Sequence, residues 1–145
     1  TSAYRGPAEV WPVARAPPDI FEESEMVTMT ADELGRQGEA AAENYLQKLG
    51  MRTLARRYRG ADGELDLVME DGNVVVFVEV KLSGKGGRGS GLCRVTPAKQ
   101  RRIIHAASAF LLEREWTERP ARFDVVEITT SGLYHVPCAF EASAW

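Results

Sequence analysis

The order of segments predicts an α/β or α+β sandwich: one helix, three strands, a second helix and two more strands. Three observations carry this prediction. Helical amphipathic periods run from Thr30 to Leu49 and again from Thr96 onward. Short alternating or wholly apolar runs fall at 51–59, 64–70, 74–81, 121–128 and 133–140. Asp71-Gly72-Asn73 joins two of these runs as a hairpin turn.

In the first helix, Thr30 or Asp32 supplies the cap and Gly50 the stop. Leu34, Ala41, Ala42, Tyr45, Leu46 and Leu49 form the apolar stripe. Glu39 lies at its border, in line with Ala42 and Leu46. It is either a surface acid favoured by the helix dipole or an acid reaching a pocket beside the core. The strand at 51–59 is interrupted by Arg56 and Arg57, and Ala61-Asp62-Gly63 is a turn. Residues 64–70 alternate, with Glu64, Asp66, Val68 and Glu70 on one face and Leu65, Leu67 and Met69 on the other. The hairpin turn then pairs 64–70 antiparallel with 74–81, and the register decides whether Asp66 and Glu79 share a face. Ser83 to Gly91 form a basic, glycine-rich loop without P-loop spacing, which excludes a Walker nucleotide site. Thr96 and Pro97 start the second helix. Ile103, Ile104, Ala107, Phe110 and Leu111 make its buried stripe, Gln100 points to the sheet, and His105 falls outside it. Asp124, in the next strand, has Arg122 as a simple ionic partner.

The 145 residues suffice for one domain with a core. Residues 1–29 contain Pro7, Pro12, Pro17 and Pro18 and no sustained period, so they are expected to be an N-terminal extension to a domain over 30–145. The net charge of −3 argues against a uniformly basic nucleic-acid binder. The charge is uneven, however. No acid falls between Glu79 and Glu113, an interval holding Lys81, Lys85, Arg88, Arg94, Lys99, Arg101 and Arg102. A second cluster is Arg52, Arg56, Arg57 and Arg59. Such patches suit a polyanion, or are simply solvated faces. Cys93 and Cys138 form no paired motif, and His105 and His135 have no zinc-like spacing. A reduced, cytoplasmic setting is expected. No apolar run approaches the ~20 residues that span a bilayer, so no membrane partner is expected.

The chemistry concentrates in Glu64-Leu65-Asp66-Leu67 and Phe77-Val78-Glu79-Val80-Lys81. In a strand, Glu79 and Lys81 project from one face together with Phe77. Charges at the end of a buried strand are paired or used. An acid followed by Glu-x-Lys on the neighbouring strand is able to hold a divalent cation against a phosphate. The bland alternative is an ordinary salt bridge from Lys81 to Glu79 or Asp66.

Five stretches resemble one family in order and spacing: Gly35-Arg36-Gln37-Gly38-Glu39-Ala40-Ala41, Gly63-Glu64-Leu65-Asp66-Leu67, Phe77-Val78-Glu79-Val80-Lys81, Val95-Thr96-Pro97-Ala98-Lys99-Gln100-Arg101-Arg102-Ile103 and Arg122-Phe123-Asp124-Val125. Over roughly 33–140 the chain resembles the YraN-like bacterial proteins of uncharacterised function. These are similar to archaeal Holliday-junction resolvases, in the PD-(D/E)xK nuclease-like superfamily. The resemblance implies an α/β fold with a restriction-endonuclease-like mixed sheet flanked by helices. It implies Asp66 and Glu79 as ligands of Mg²⁺ or Mn²⁺, Lys81 as the lysine of the pair, and Glu39 as the first-helix acid, these four being the catalytic set. Leu82 and Ser83 stand where the family commonly places a basic residue after the lysine. The expected chemistry is metal-assisted phosphodiester hydrolysis, with the Val80 carbonyl as a further oxygen ligand and Lys81 orienting water or stabilising developing charge. Lys99 and Gln100 would bind the scissile-strand phosphate, and Arg56, Arg57, Arg59, Lys85, Arg88, Arg101 and Arg102 the neighbouring ones. The expected partner is nucleic acid, DNA ahead of RNA and branched DNA among its forms. A homodimer is expected, with Trp116 or Phe140 as contacts. Two other readings stay open: a non-catalytic nucleic-acid-binding module, and a protein-interaction domain in which the same charges are structural.

Overall fold

The computed structural model describes residues 11–12, 30–60, 62–82, 95–129 and 132–142. Its elements are β1 (Trp11–Pro12), α1 (Ala31–Lys48), β2 (Arg52–Arg59), β3 (Glu64–Asp71), β4 (Val74–Leu82), α2 (Pro97–Glu113), β5 (Ala121–Thr129) and β6 (Gly132–Phe140). The sheet order is β1-β6-β5-β4-β3-β2. Every neighbouring pair is antiparallel except β4 and β5, which α2 connects as a parallel crossover. Five long strands and two helices thus make an α/β fold with a mixed sheet, in the restriction-endonuclease-like arrangement.

Local chemistry explains the boundaries. The Thr30 hydroxyl accepts from the Glu33 N–H and the Glu33 carboxylate accepts from the Thr30 N–H, a reciprocal cap that starts α1. Gly50, at φ +97°, carries the chain out of the helix in a conformation that other residues adopt at a cost. Leu49 was expected on the buried stripe. It is instead the C-cap residue and 53% exposed, because the helix ends one residue before it. α2 begins at the Thr96 cap, with Pro97 supplying the preset φ of the first turn. The hairpin turns at Gly72, with Asp71 opposite Val74.

The sheet separates two cores. On one face α2 brings Ile103, Ala106, Ala107, Phe110 and Leu111 onto Leu65, Val68, Val75, Phe77, Phe123 and Val125. Phe110 meets Phe77 edge-on with centroids 5.9 Å apart, and Phe77 stacks on Phe123 at 5.5 Å. On the other face α1 brings Ala42 and Leu46 onto Leu67, Met69, Val76, Val78, Val126 and Ile128. A central strand covered on both faces has no polar side, which is why Val68 is buried although its position alternates with acids. Leu65 also departs from the expected alternation, packing with Val68 on the α2 side while Leu67 and Met69 face α1. Pairing of β3 with β4 stops at Leu67, so residues 64–66 pair only with β2.

Trp116 and Phe140, expected as dimer contacts, lie half-buried against the α2-side core. Trp116 meets Phe110 at 6.2 Å and Phe140 stacks on Phe123 at 4.9 Å. Within the expected extension, the backbone of Trp11–Pro12 pairs with His135 and Tyr134 at the β6 edge.

Two glycines bring α2 onto the sheet. A Cβ on Gly63 would lie 2.8 Å from the Arg102 carbonyl oxygen, and one on Gly60 would lie 2.8 Å from the Ala106 Cα. The turn between β2 and β3, closed by the Gly60 N–H donating to the Gly63 carbonyl, therefore sits directly against the helix backbone. This contact sets α2, and with it Lys99, at a fixed height beside Asp66 and Glu79.

Candidate metal and phosphate site

The site forms where β3 and β4 part. Their paired register ends at Leu67 opposite Val78, and just beyond it Asp66 comes close enough to Glu79 for the two acids to interact. With no ladder partner there, the Val80 N–H donates instead to Asp66 Oδ2 at 2.8 Å. The Asp66 and Glu79 carboxyl groups lie close enough to act on each other. Burial first, then the hydrogen bond and charge of Glu79, push the Asp66 carboxyl up to about 8, against the pull of the Val80 N–H and the Lys99 ammonium. Two carboxyls in one partly dry place share a proton rather than both ionise.

Glu79 itself is only 5% exposed. A buried carboxylate needs compensating charge, and two ammonium groups supply it. Lys99 Nζ, from the first turn of α2, lies 3.6 Å from Glu79 Oε2, and Lys81 Nζ lies 4.0 Å from the same oxygen. The site sits at the C-terminal end of parallel β4 and β5, beside the α2 N-terminus, where α/β folds place ligands.

Glu39 is on α1, near enough to Asp66 to feel its charge, but its carboxylate accepts from Arg57 Nε at 2.8 Å. Burial raises its pKa more than the Arg57 hydrogen bond lowers it. The arginine-rich β2 is likewise paired with acids. Arg56 Nη2 lies 2.6 Å from Glu43 Oε2, Arg59 Nε lies 3.5 Å from Glu64 Oε2, and Arg57 also reaches Asp32 at 3.5 Å. Gln100 donates to the Val95 carbonyl at 3.0 Å, which ties down the start of α2. Arg101 and Arg102 are exposed. Lys85 and Arg88 lie outside the described residues. His105, as expected, is exposed, and its Nδ1 lies 3.2 Å from Asp62. Asp66, Glu79, Lys81 and Lys99 thus come together, with Glu39 next to them and held by Arg57.

One feature escaped the sequence, and the Asp124–Arg122 pair read from it belongs to a larger buried network. Glu127 is buried beside Lys81, its register partner on β5, inside the run Val125-Val126-Glu127-Ile128. On the α1 side, Asp124 is fully buried and accepts from Arg122 Nε at 3.1 Å, His135 Nε2 at 2.8 Å and the Cys138 N–H at 3.1 Å. Arg122 continues to Asp71 at 3.1 Å, and His135 Nδ1 lies 3.4 Å from the Tyr45 hydroxyl. Burial, with the Asp124 charge, raises that hydroxyl to about 12.

Among the described residues no three His, Cys, Asp or Glu side chains converge on one metal position. Two carboxylates, with the Val80 carbonyl as a third oxygen, would make up the donor set for a cation here. Mg²⁺ suits such a set, since it keeps several waters and takes one or two carboxylates. The facing Asp66–Glu79 pair, one member carrying a raised pKa, has the charge chemistry that a divalent cation relieves.

The fold and these residues define a small α/β protein of restriction-endonuclease-like architecture with an acid pair and two lysines at one end of its sheet. The chain belongs to the uncharacterised protein family UPF0102, whose model matches residues 38–128. A UPF0102 protein of Geobacter metallireducens is 42% identical over 112 residues, covering 74% of this chain and 92% of that one. One from Pseudomonas putida strain W619 is 46% identical over 102 residues, covering 70% and 81%. One from Persephonella marina is 36% identical over 107 residues, covering 74% and 92%. No helix among the described residues is long and apolar enough to cross a membrane.

Proposed function

We propose that the protein is a metal-dependent endonuclease that hydrolyses phosphodiester bonds in nucleic acid, with branched DNA as the first substrate class to examine. The observation that carries this reading is the half-buried Asp66 facing the buried Glu79, with Lys81 and Lys99 on the same carboxylate. Mg²⁺ or Mn²⁺ held by Asp66 and Glu79 would supply neutralisation of the phosphate charge. Lys81, fixed by its strand two residues from Glu79, orients the attacking water and stabilises charge developing on the phosphoryl oxygens. The α2 N-terminus, with Lys99, receives the scissile-strand phosphate. Arg101 and Arg102 lie exposed on the same helix, where they meet flanking phosphates without reading bases. Glu39 holds Arg57 beside the site. In the same proposal the protein works in the cytoplasm, and as a homodimer if its substrate offers two symmetric cleavage points.

A second reading has its own observation. The carboxylates of Glu79 and Glu39 each have a cationic partner within the fold, as they would in an interaction domain or a non-catalytic binding module. One assay separates the readings. Wild type and Glu79→Ala are incubated with branched, flapped, duplex and single-stranded substrates in Mn²⁺, Mg²⁺ or EDTA, and folding is followed by thermal melting. Cleavage by wild type that EDTA and a well-folded Glu79→Ala both abolish supports the nuclease. Metal-independent binding without cleavage supports the binding module, and neither binding nor cleavage supports the interaction domain.

A further inference from the structure

Glu79 and Lys81 lie on one extended strand, so their separation is set by the backbone. Lys99 differs. It arrives from another element, and its side chain is 37% exposed, with a flexible four-carbon stem and solvent on one side. Yet its ammonium is the nearer of the two to Glu79 Oε2, at 3.6 Å against 4.0 Å. The backbone of that first turn is anchored independently: the Lys99 N–H donates to the Thr96 hydroxyl, and the Gly63 contact with Arg102 fixes the helix against β3. The side chain is thus free to turn about a stationary base.

We infer that Lys99 is a built-in counter-ion of the Asp66–Glu79 pair, standing where a divalent cation is taken up and leaving Glu79 when that cation binds. This deepens the metal-dependent reading and rests on it. Without metal, the Lys99 ammonium offsets the Glu79 charge. With metal at the acid pair, a dication and an ammonium on one carboxylate repel, and Lys99 swings toward the open mouth of the site. There it lies beside the exposed Arg102, one turn along α2, and meets the phosphate of an incoming strand. Cation uptake and phosphate capture become one exchange, with Lys81 staying in place throughout.

The test measures Mn²⁺ binding by titration calorimetry on protein stripped with EDTA, for wild type, Lys99→Met, Lys99→Arg and Asp66→Asn, with thermal melts as folding controls. Lys99→Met keeps most of the stem and removes the competitor. It should bind Mn²⁺ about tenfold more tightly than wild type, which is about 1.4 kcal/mol. Lys99→Arg keeps the charge and should stay near wild type. In EDTA, Lys99→Met should melt below wild type, and Mn²⁺ should raise its Tm by more. If Lys99→Met binds Mn²⁺ no more tightly than wild type while Asp66→Asn binds none, the counter-ion role is overturned and the metal site stands. Absence of Mn²⁺ binding in all four proteins overturns both. Binding by Lys99→Met alone supports the inference in its strongest form.

Discussion

Replacing Asp66 with asparagine should stabilise the metal-free protein, and by more as pH rises. In the folded chain the Asp66 carboxyl is raised from 3.8 to about 8 by burial and by Glu79. The sign follows from proton binding. Below pH 3.8 folded and unfolded chains both hold the proton, and Asp66 contributes no slope. Between 3.8 and about 8 the folded chain keeps a proton that the unfolded chain has released, so stability falls as pH rises. Above about 8 both have lost it and the loss is complete. Each unit of the gap is about 1.4 kcal/mol, so the ceiling is about 6 kcal/mol above pH 8 and about 4 kcal/mol at pH 7. Asparagine has no proton to lose. Its carbonyl still accepts from Val80 N–H and its amide donates to Glu79. Allowing for relaxation around the wild-type pair, a gain of about 1–3 kcal/mol at pH 8 is expected. Urea unfolding of both proteins in EDTA, from pH 4.5 to 8.5, reads the difference directly. A difference that does not change with pH, or a variant less stable than wild type at pH 8.5, would refute the reasoning.

Other outcomes follow from the same geometry. Mn²⁺ affinity should rise by up to about tenfold per pH unit between pH 6 and 8, because Asp66 must release its proton to become a ligand; calorimetry at several pH values checks the slope, and a flat profile would place the metal elsewhere. Gly63→Ala sets a Cβ 2.8 Å from the Arg102 carbonyl oxygen, so displacing α2 should cost about 1–3 kcal/mol in chemical denaturation; an unchanged midpoint would show that the turn yields freely. Phe110→Ala empties the centre of the α2-side core and should cost about 3–5 kcal/mol, read as a lowered urea midpoint.

Local chemistry made most of the fold legible. The Thr30 and Thr96 caps, the Asp71-Gly72-Asn73 turn and the apolar run from Val74 act through neighbours in sequence, and they placed both helices and the central hairpin. The site was legible where one strand carries it, at Glu79 and Lys81, and where a tight turn sets the register, at Asp66. What stayed hidden depends on contacts between distant segments. Nothing near Arg56 or Arg57 announces that Glu43 and Glu39, on a separate helix, meet them. The position of Lys99 beside Glu79 depends on how α2 lies on the sheet, which Gly60 and Gly63 settle by close approach. Leu65 left its expected face where β3 runs past β4 and pairs only with β2, opposite the left-handed Arg57 (φ +48°).

The half-buried Asp66 and the buried Asp124 show why residue type alone does not identify a site. Asp124 lies where the β5–β6 register shifts, and the left-handed Cys138 (φ +52°) turns its N–H onto the carboxylate. Arg122 and His135 complete the set of donors, so the Asp124 charge is matched by groups that the fold holds in place, and the network ties Asp71, β5, β6 and Tyr45 of α1 together. Asp66 has one backbone donor and a second acid opposite it. The same change should therefore act with opposite sign at the two positions. Asp124→Asn removes the charge that Arg122 and His135 are built around and places an amide donor against donors, which should cost about 3–5 kcal/mol. Asp66→Asn relieves a conflict and should stabilise. Urea midpoints of the two variants at pH 8 test this contrast. Destabilisation by both to a similar extent would mean that Asp66, like Asp124, is a structural acid, and it would remove the physical ground for placing a cation there.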